Sequence, residues 1–224
     1  MSKSIMRKFS AIVPAAGLSA RMPELKALLP IGDTPMLLQT ITALRAAGVE
    51  RVLVVLGCQA EKLRPLLNQH EVDSVVNNDY TAGMFSSIKV GVACLPTTDT
   101  GFFVLPADMP FVHPETIIML GLDFAAQPCS TLYPVYAGRR GHPPLISSAC
   151  KTSLLAYTGP EGLRGFLRIC SGSSREAQVQ DPGIHLDIDT PADYAYGLQF
   201  AHETGAAYNP ALEQEQYGEG ALKR

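Results

Sequence analysis

Two cations, three carboxylates and one histidine carry most of the chemistry this chain could perform. Arg21 and Lys26 follow Pro14-Ala15-Ala16-Gly17, a break at the end of an apolar run that starts at Ser10. Ala15, Ala16 and Gly17 are small enough for backbone amides to approach a ligand closely. Arginine offers a forked donor and lysine a point charge, so the two could neutralise a polyphosphate. The stretch is not G-x-G-x-x-G, which argues against a nicotinamide dinucleotide, and lacks G-x-x-x-x-G-K-[ST], so it is no P-loop. A turn with solvated cations is the competing reading.

Asp108 follows the apolar run "FFVLPA" and precedes Met109-Pro110. A carboxylate at the end of a buried strand can hold Mg²⁺, which takes one or two carboxylates together with phosphate oxygens. An acidic turn residue is the alternative, but Pro114 and Glu115 already start the next helix without it. Asp187 and Asp189 flank Ile188 on a predicted strand, so both would face one side while Ile188 faces the core. Like charges side by side call for a cation or solvent. His142 stands in "GRRGHPPL", where a surface role competes with a functional one. Ser86 and Ser87, after Gly83, open a helix that they could cap, or they could bind a nucleotide's ribose and base; capping alone would account for them.

The elements that must position these residues alternate. The spacing predicts strands at Ser10 to Val13, at "RVLVVLG", at Asp73 to Val76 and through "GFFVLPADMP" to Asp108. Helices are predicted from Thr34 (N-cap) and Pro35 (first residue) to Gly48, over Glu61 to Gln69, through "GMFSSIKVGVACL", and over Pro114 to Ala126. "STLYPVYAGRRGHPPLIS" reads as two strands joined by a Gly-Arg-Arg-Gly turn. Short helical stretches follow at Ala149 to Ala156 and Glu161 to Ile169. "IHLDIDTPADYAYGLQFA" reads as a last strand and a helix capped by Thr190, with Pro191 first and Asp193 closing a capping box. The expected fold is α/β, a mostly parallel, Rossmann-like central sheet with helices on both faces and a small antiparallel excursion. Residues 1–204 form one expected domain and 205–224 a tail. In such a sheet ligands sit beyond the carboxyl ends of the strands, where the loops just described fall.

Composition narrows the function classes. The 224 residues are 46% apolar and 17% charged with a net charge of −3, which gives no overall bias toward nucleic acid or membrane. No apolar run reaches the roughly 20 residues of a membrane helix, and no signal-peptide core precedes Pro14, so a cytoplasmic protein is expected. Five cysteines without a C-x-x-C pair argue against a zinc site or a disulfide framework.

Taken in order, "PAAGLSARM…K..LLP", "NNDYTAGMFSS", "LPADMP", "RRGHPPL" and "LDIDTPADY" resemble the molybdenum cofactor cytidylyltransferases. These belong to the nucleotidyltransferases of Rossmann-like, glycosyltransferase-A-type fold. The resemblance runs from about Phe9 to Leu198. It implies that CTP and the molybdenum–pterin cofactor are the substrates, that CMP passes to the pterin phosphate, and that pyrophosphate leaves. The product would serve a molybdenum hydroxylase through transient contact. By the same resemblance, Ala15, Ala16, Gly17, Arg21, Lys26, Gly83 and Ser87 bind the nucleotide. Asp108 with Asp189 or Asp187 holds Mg²⁺, Arg21, Lys26 and Asp108 are catalytic, and Gly141, His142 and Pro143 line the pterin side. "AAG" stands where guanylyl-transferring relatives tend to carry a second glycine, which points to CTP over GTP. Pro23 replaces the usual glycine of Arg-Met-Gly and removes one amide donor. A relative acting on GTP or a sugar phosphate, or a non-catalytic cofactor carrier, are the other readings.

Overall fold

A computed structural model describes residues 2–17, 22 and 25–205. In chain order the elements are α1 Ser2–Met6, β1 Phe9–Ala15, a 3₁₀ turn Lys26–Leu28, β2 Pro30–Ile31, β3 Thr34–Pro35, α2 Met36–Ala46, β4 Arg51–Leu56, α3 Ala60–Gln69 and β5 Asp73–Val76. Then come α4 Met84–Cys94, β6 Gly101–Val104, α5 Pro114–Ala126, β7 Thr131–Tyr136, β8 Arg139–Arg140, β9 Leu145–Ser147, α6 Lys151–Ala156, α7 Gly162–Ile169, β10 Arg175–Gln178 and α8 Pro191–Thr204.

The main sheet runs β10-β7-β9-β6-β1-β4-β5, with β8 paired to β7. The pairings β1 with β4 and β6, β4 with β5, and β7 with β10 are parallel, whereas β9 runs against both β6 and β7. The chain leaves β1 toward β4 and β5, then returns to β6 on the other side. That reversal opens a crevice at the carboxyl end of β1.

Strand alternation sends neighbouring side chains into separate cores. Ala11 and Val13 of β1 and Val52, Val54 and Leu56 of β4 join a core under α1, α2, α3 and α5, with Met6, Leu37, Ile41, Leu63, Leu67 and Phe124. Ile12, Leu53 and Val55 face the other way, toward Ile88 and Val92 of α4, Leu154 of α6 and Phe166 of α7. The fold is therefore the expected mixed, mostly parallel sheet covered on both faces.

Several boundaries differ from the sequence-based expectation. Thr34-Pro35 does not begin α2: Thr34 pairs with Ile31 in a small hairpin, Pro35 is extended, and the first helical amide, Met36, donates to the Leu29 carbonyl. Gly48 does follow the end of α2, at φ +87°, with its N–H on the Arg45 carbonyl. The β6 ladder stops at Val104, because Pro106 has no amide to give; Leu105 and Ala107 still donate to Ile12 and Pro14, so Asp108 sits in the turn beyond. The turn after β7 is Ala137-Gly138, and Arg139–Arg140 pair back onto Tyr136 and Val135 instead of forming the bend. The stretch before α8 is not a strand: Pro182–His185 is a 3₁₀ turn and 186–189 run extended without a ladder. Asp181, 1% exposed, anchors that turn by accepting from the amides of His113 and Gly183 and from the Thr116 hydroxyl. The far edge is instead β10, a strand the sequence analysis did not anticipate. The α8 start is as expected, with Thr190 and Asp193 forming the capping box.

Candidate active site

A cleft of about 400 Å³ opens at the carboxyl ends of β1 and β6. One wall is Ala15, Ala16 and Gly17; a Cβ built on Gly17 would meet nothing within 4 Å, so this backbone faces open space. The opposite wall is the start of α4 and the turn before it. Gly83 precedes the helix at φ +95°, a conformation side-chain-bearing residues rarely adopt, and leaves the first turn of α4 uncovered toward the cleft. Ser87, one turn in, lines the same space.

The floor is charged. Lys26 Nζ donates to Asp108 Oδ2 at 2.6 Å and to Asp189 Oδ1 at 2.9 Å. These side chains are 17%, 18% and 35% exposed, so the group is largely withdrawn from water. Burial works against the Lys26 charge, but Asp108 and then Asp189 outweigh it and hold its pKa above the ordinary lysine value. Two backbone devices bring the carboxylates together. The Ile188 amide donates to the Asp108 carbonyl at 2.9 Å, stitching the segment before α8 to the Asp108 turn. Asp193 Oδ2 then accepts from the amides of Asp189 and Thr190, so the α8 capping box also holds Asp189 in place.

Of the residues singled out from sequence, the cleft gathers Ala15, Ala16, Gly17, Lys26, Gly83, Ser87, Asp108 and Asp189. Arg21 and Pro23 lie outside the described residues. Asp187 is exposed and lines a separate, smaller depression with Phe111 and Tyr196, not the cleft. Gly141, His142 and Pro143 do not line the cleft either. Gly141 has a packing reason to be glycine, since a Cβ there would lie 2.5 Å from the Ile184 carbonyl oxygen. Burial keeps the His142 pKa below its ordinary value despite the opposing pull of the Val104 carbonyl, Asp108 and Asp187. His142 is joined to Pro143 by a cis peptide bond.

The family model described as the MobA-like NTP transferase domain matches residues 11–179. The chain belongs to this family. Among curated relatives, the molybdenum cofactor cytidylyltransferase of Escherichia coli (strain K12) is 28% identical over 190 residues, covering 84% of this chain and 95% of that protein. The nicotine blue oxidoreductase of Paenarthrobacter nicotinovorans is 28% identical over 188 residues, covering 81% and 92%. Among solved structures, Rv0371c from Mycobacterium tuberculosis H37Rv is 29% identical with TM-score 0.74, covering 85% of this chain and 97% of that one. A structure of Rv0371c in complex with manganese aligns with TM-score 0.72 at the same identity.

Three residues of this MobA-like nucleotidyltransferase shape the cleft in ways the sequence did not reveal. A Cβ on Gly57, at the end of β4, would sit 2.7 Å from the Cβ atoms of both Ala16 and Tyr80 and 2.9 Å from the Ala16 carbonyl oxygen. The Ala16 loop and the turn before α4 therefore meet across Gly57. Asn77 is 2% exposed and bonded to both Ser86 and Ser87. Asp193 was legible as a helix cap, but its hold on the Asp189 amide was not. The only sequence signal for Gly57 was a glycine directly after a buried strand.

Proposed function

We propose that the protein transfers CMP from CTP to the terminal phosphate of the molybdenum–pterin cofactor, releasing pyrophosphate. The observation that carries this reading is one cation bracketed by two carboxylates on the floor of a cleft walled on one side by Ala15, Ala16 and Gly17 and on the other by the start of α4. A nucleoside triphosphate needs that combination, donors for its oxygens and a place for a divalent cation. The relation to the E. coli cytidylyltransferase across 95% of its length supports CTP and the pterin as substrates.

Among the described residues no group of three His, Cys, Asp or Glu could hold a metal ion. Asp108 and Asp189 nonetheless aim at one point, which the Lys26 ammonium fills as a stand-in cation. Two carboxylates with phosphate oxygens suit Mg²⁺, so the donor set fits. The manganese complex of Rv0371c supports a divalent cation in this fold. Bound there, Mg²⁺ would neutralise charge on the triphosphate and on the departing pyrophosphate.

The chain's own groups do the rest. Backbone at Ala15, Ala16 and Gly17 holds the phosphates, while Lys26, with Arg21 assigned by resemblance, neutralises their oxygens. Gly83 and Ser87 face the nucleoside. The acceptor phosphate oxygen forms a bond to the α-phosphorus as the bond to the β-phosphate bridging oxygen breaks, and pyrophosphate leaves with that electron pair. The nucleophile is already anionic, so in-line positioning and charge stabilisation suffice without a strong base. The test is pyrophosphate release from CTP, GTP, ATP and UTP, each with Mg²⁺ and molybdenum–pterin cofactor or the metal-free pterin. CTP should be preferred, and Asp108→Asn should lower the rate on the order of 10²-fold or more. Preference for GTP, turnover only with a sugar phosphate, or full activity of Asp108→Asn would overturn the reading.

A further inference from the structure

The helices α6 and α7 pack against α4, and two cysteines close the base of that pair. At its outer end the pair is tied to α4 by Lys89, which donates to the Tyr157 carbonyl, and by the Phe85 and Tyr157 rings, 5.9 Å apart edge to face. At its base, Cys150 ends the 3₁₀ turn that leads into α6, and Cys170 begins the turn that leaves α7. Ser130, just before β7, holds both. Its hydroxyl donates to the Cys170 carbonyl at 2.7 Å, and the Cys150 thiol donates to the Ser130 carbonyl at 3.7 Å. The Cys150 thiol also lies within hydrogen-bonding reach of the Cys170 thiol. Both residues are half-buried and pack against the core of Tyr133, Leu154 and Phe166. Cys129, the third sulfur in the neighbourhood, is buried in the core on the opposite face of the sheet, beside Arg175. None of the three lines the cleft.

We propose that Cys150 and Cys170 are an oxidisable dithiol, which a peroxide converts to a disulfide that staples the base of the α6–α7 pair. In the first step one thiolate attacks a peroxide oxygen. The O–O bond breaks, a sulfenic acid forms, and the departing hydroxide takes the thiol's proton and leaves as water. In the second step the other sulfur attacks the sulfenic sulfur. The S–S bond forms, the S–O bond breaks, and hydroxide leaves as water with the second thiol's proton. The two thiols lose two electrons and two protons, and the peroxide is reduced to two waters. Burial, and then the Cys170 sulfur, hold the Cys150 thiol above its ordinary pKa. The pair therefore resists oxidation near neutral pH and yields faster as the pH rises.

The test treats the full, reduced chain with hydrogen peroxide and follows intact mass, free thiols after unfolding, and melting temperature. Oxidation should remove two hydrogens from the mass and two of the five thiols, and peptide mapping should place the link between Cys150 and Cys170. Dithiothreitol should restore both thiols. The closed loop should raise the melting temperature by roughly 5–10 °C. Cys150→Ser and Cys170→Ser should each abolish the link and the rise in melting temperature, whereas Cys129→Ser should keep both. A link to Cys129, a link between two chains, oxygen added without a link, or a linked protein that melts no higher than the reduced one overturns the inference. Mapping of the wild type decides the pairing even if a variant does not fold.

Discussion

Replacing Lys26 by methionine should make the protein a better divalent-cation binder when no nucleotide is present. In the wild type an incoming ion must displace an ammonium that sits 2.6 Å from Asp108 and 2.9 Å from Asp189. Two unit charges at about 4 Å attract by about 1 kcal/mol in water and about 4 kcal/mol at the effective dielectric of a protein surface. Asp189 is 35% exposed and its share is screened, and the displaced ammonium regains hydration, so the low end applies. A net advantage of about 1–2 kcal/mol for the variant corresponds to roughly 5- to 30-fold in the dissociation constant. The assay is titration with Mn²⁺, following free ion by electron paramagnetic resonance. Lys26→Met should bind about 5- to 30-fold tighter than wild type, and adding Asp108→Asn should abolish the gain, since one ligand is then lost. If the proposed function holds, the advantage should shrink or reverse with CTP present, because the phosphates then compete for the lysine. Equal affinity of wild type and Lys26→Met, or a gain that survives Asp108→Asn, would refute the idea that the two carboxylates form a cation site guarded by Lys26.

Gly57→Ala should tighten the cleft until something shifts. Its new methyl would contact the Ala16 carbonyl and the Cβ of Tyr80, neither of them a flexible tip, so a stability loss of about 1–3 kcal/mol by denaturant titration is expected, with a raised KM for nucleotide. Unchanged stability and KM would mean the two walls yield freely. His142 gives a pH dependence. Its folded pKa lies below the ordinary 6.5, so the folded state resists protonation. Its contribution to stability is fully present above about pH 6.5 and is lost as pH falls through the lower folded value. His142→Gln should remove that component from the stability–pH curve; an identical curve would show that His142 is not the titrating group.

The local signals in this chain read well. Asp73–Val76 and Pro114–Ala126 have the expected bounds, and Thr190 with Asp193 forms the expected capping box, because β-branched runs and helix starts are decided within a few residues. β10 was illegible for a physical reason: Arg175–Gln178 buries only Ala177 and owes its strand geometry to pairing with β7, far away in sequence. The 186–189 segment misled in the opposite sense. Its alternating apolar and acidic residues look like a strand, yet it finds no edge to pair with and is held by the Ile188–Asp108 bond and the Asp193 carboxylate.

The candidate site divides along the same line. Sequence alone determined which residue types lie after which strands, so the small-residue loop, Lys26, Asp108 and the acidic pair could all be named from order and spacing. It could not divide Asp187 from Asp189. That choice belongs to the tertiary structure, where Asp189 meets a lysine 163 positions away and Asp187 turns to solvent. The same holds for Asp108, which reaches Lys26 across 82 positions. Residues so distant are brought together by the crossover from β5 back to β6 and by the return of the chain before α8. Gly57 and Asn77 acquire their roles from neighbours on other elements. Short-range patterns encode an element and its ends; the meeting of charges across a cleft depends on how the elements pack, and that is settled by burial across the whole sheet.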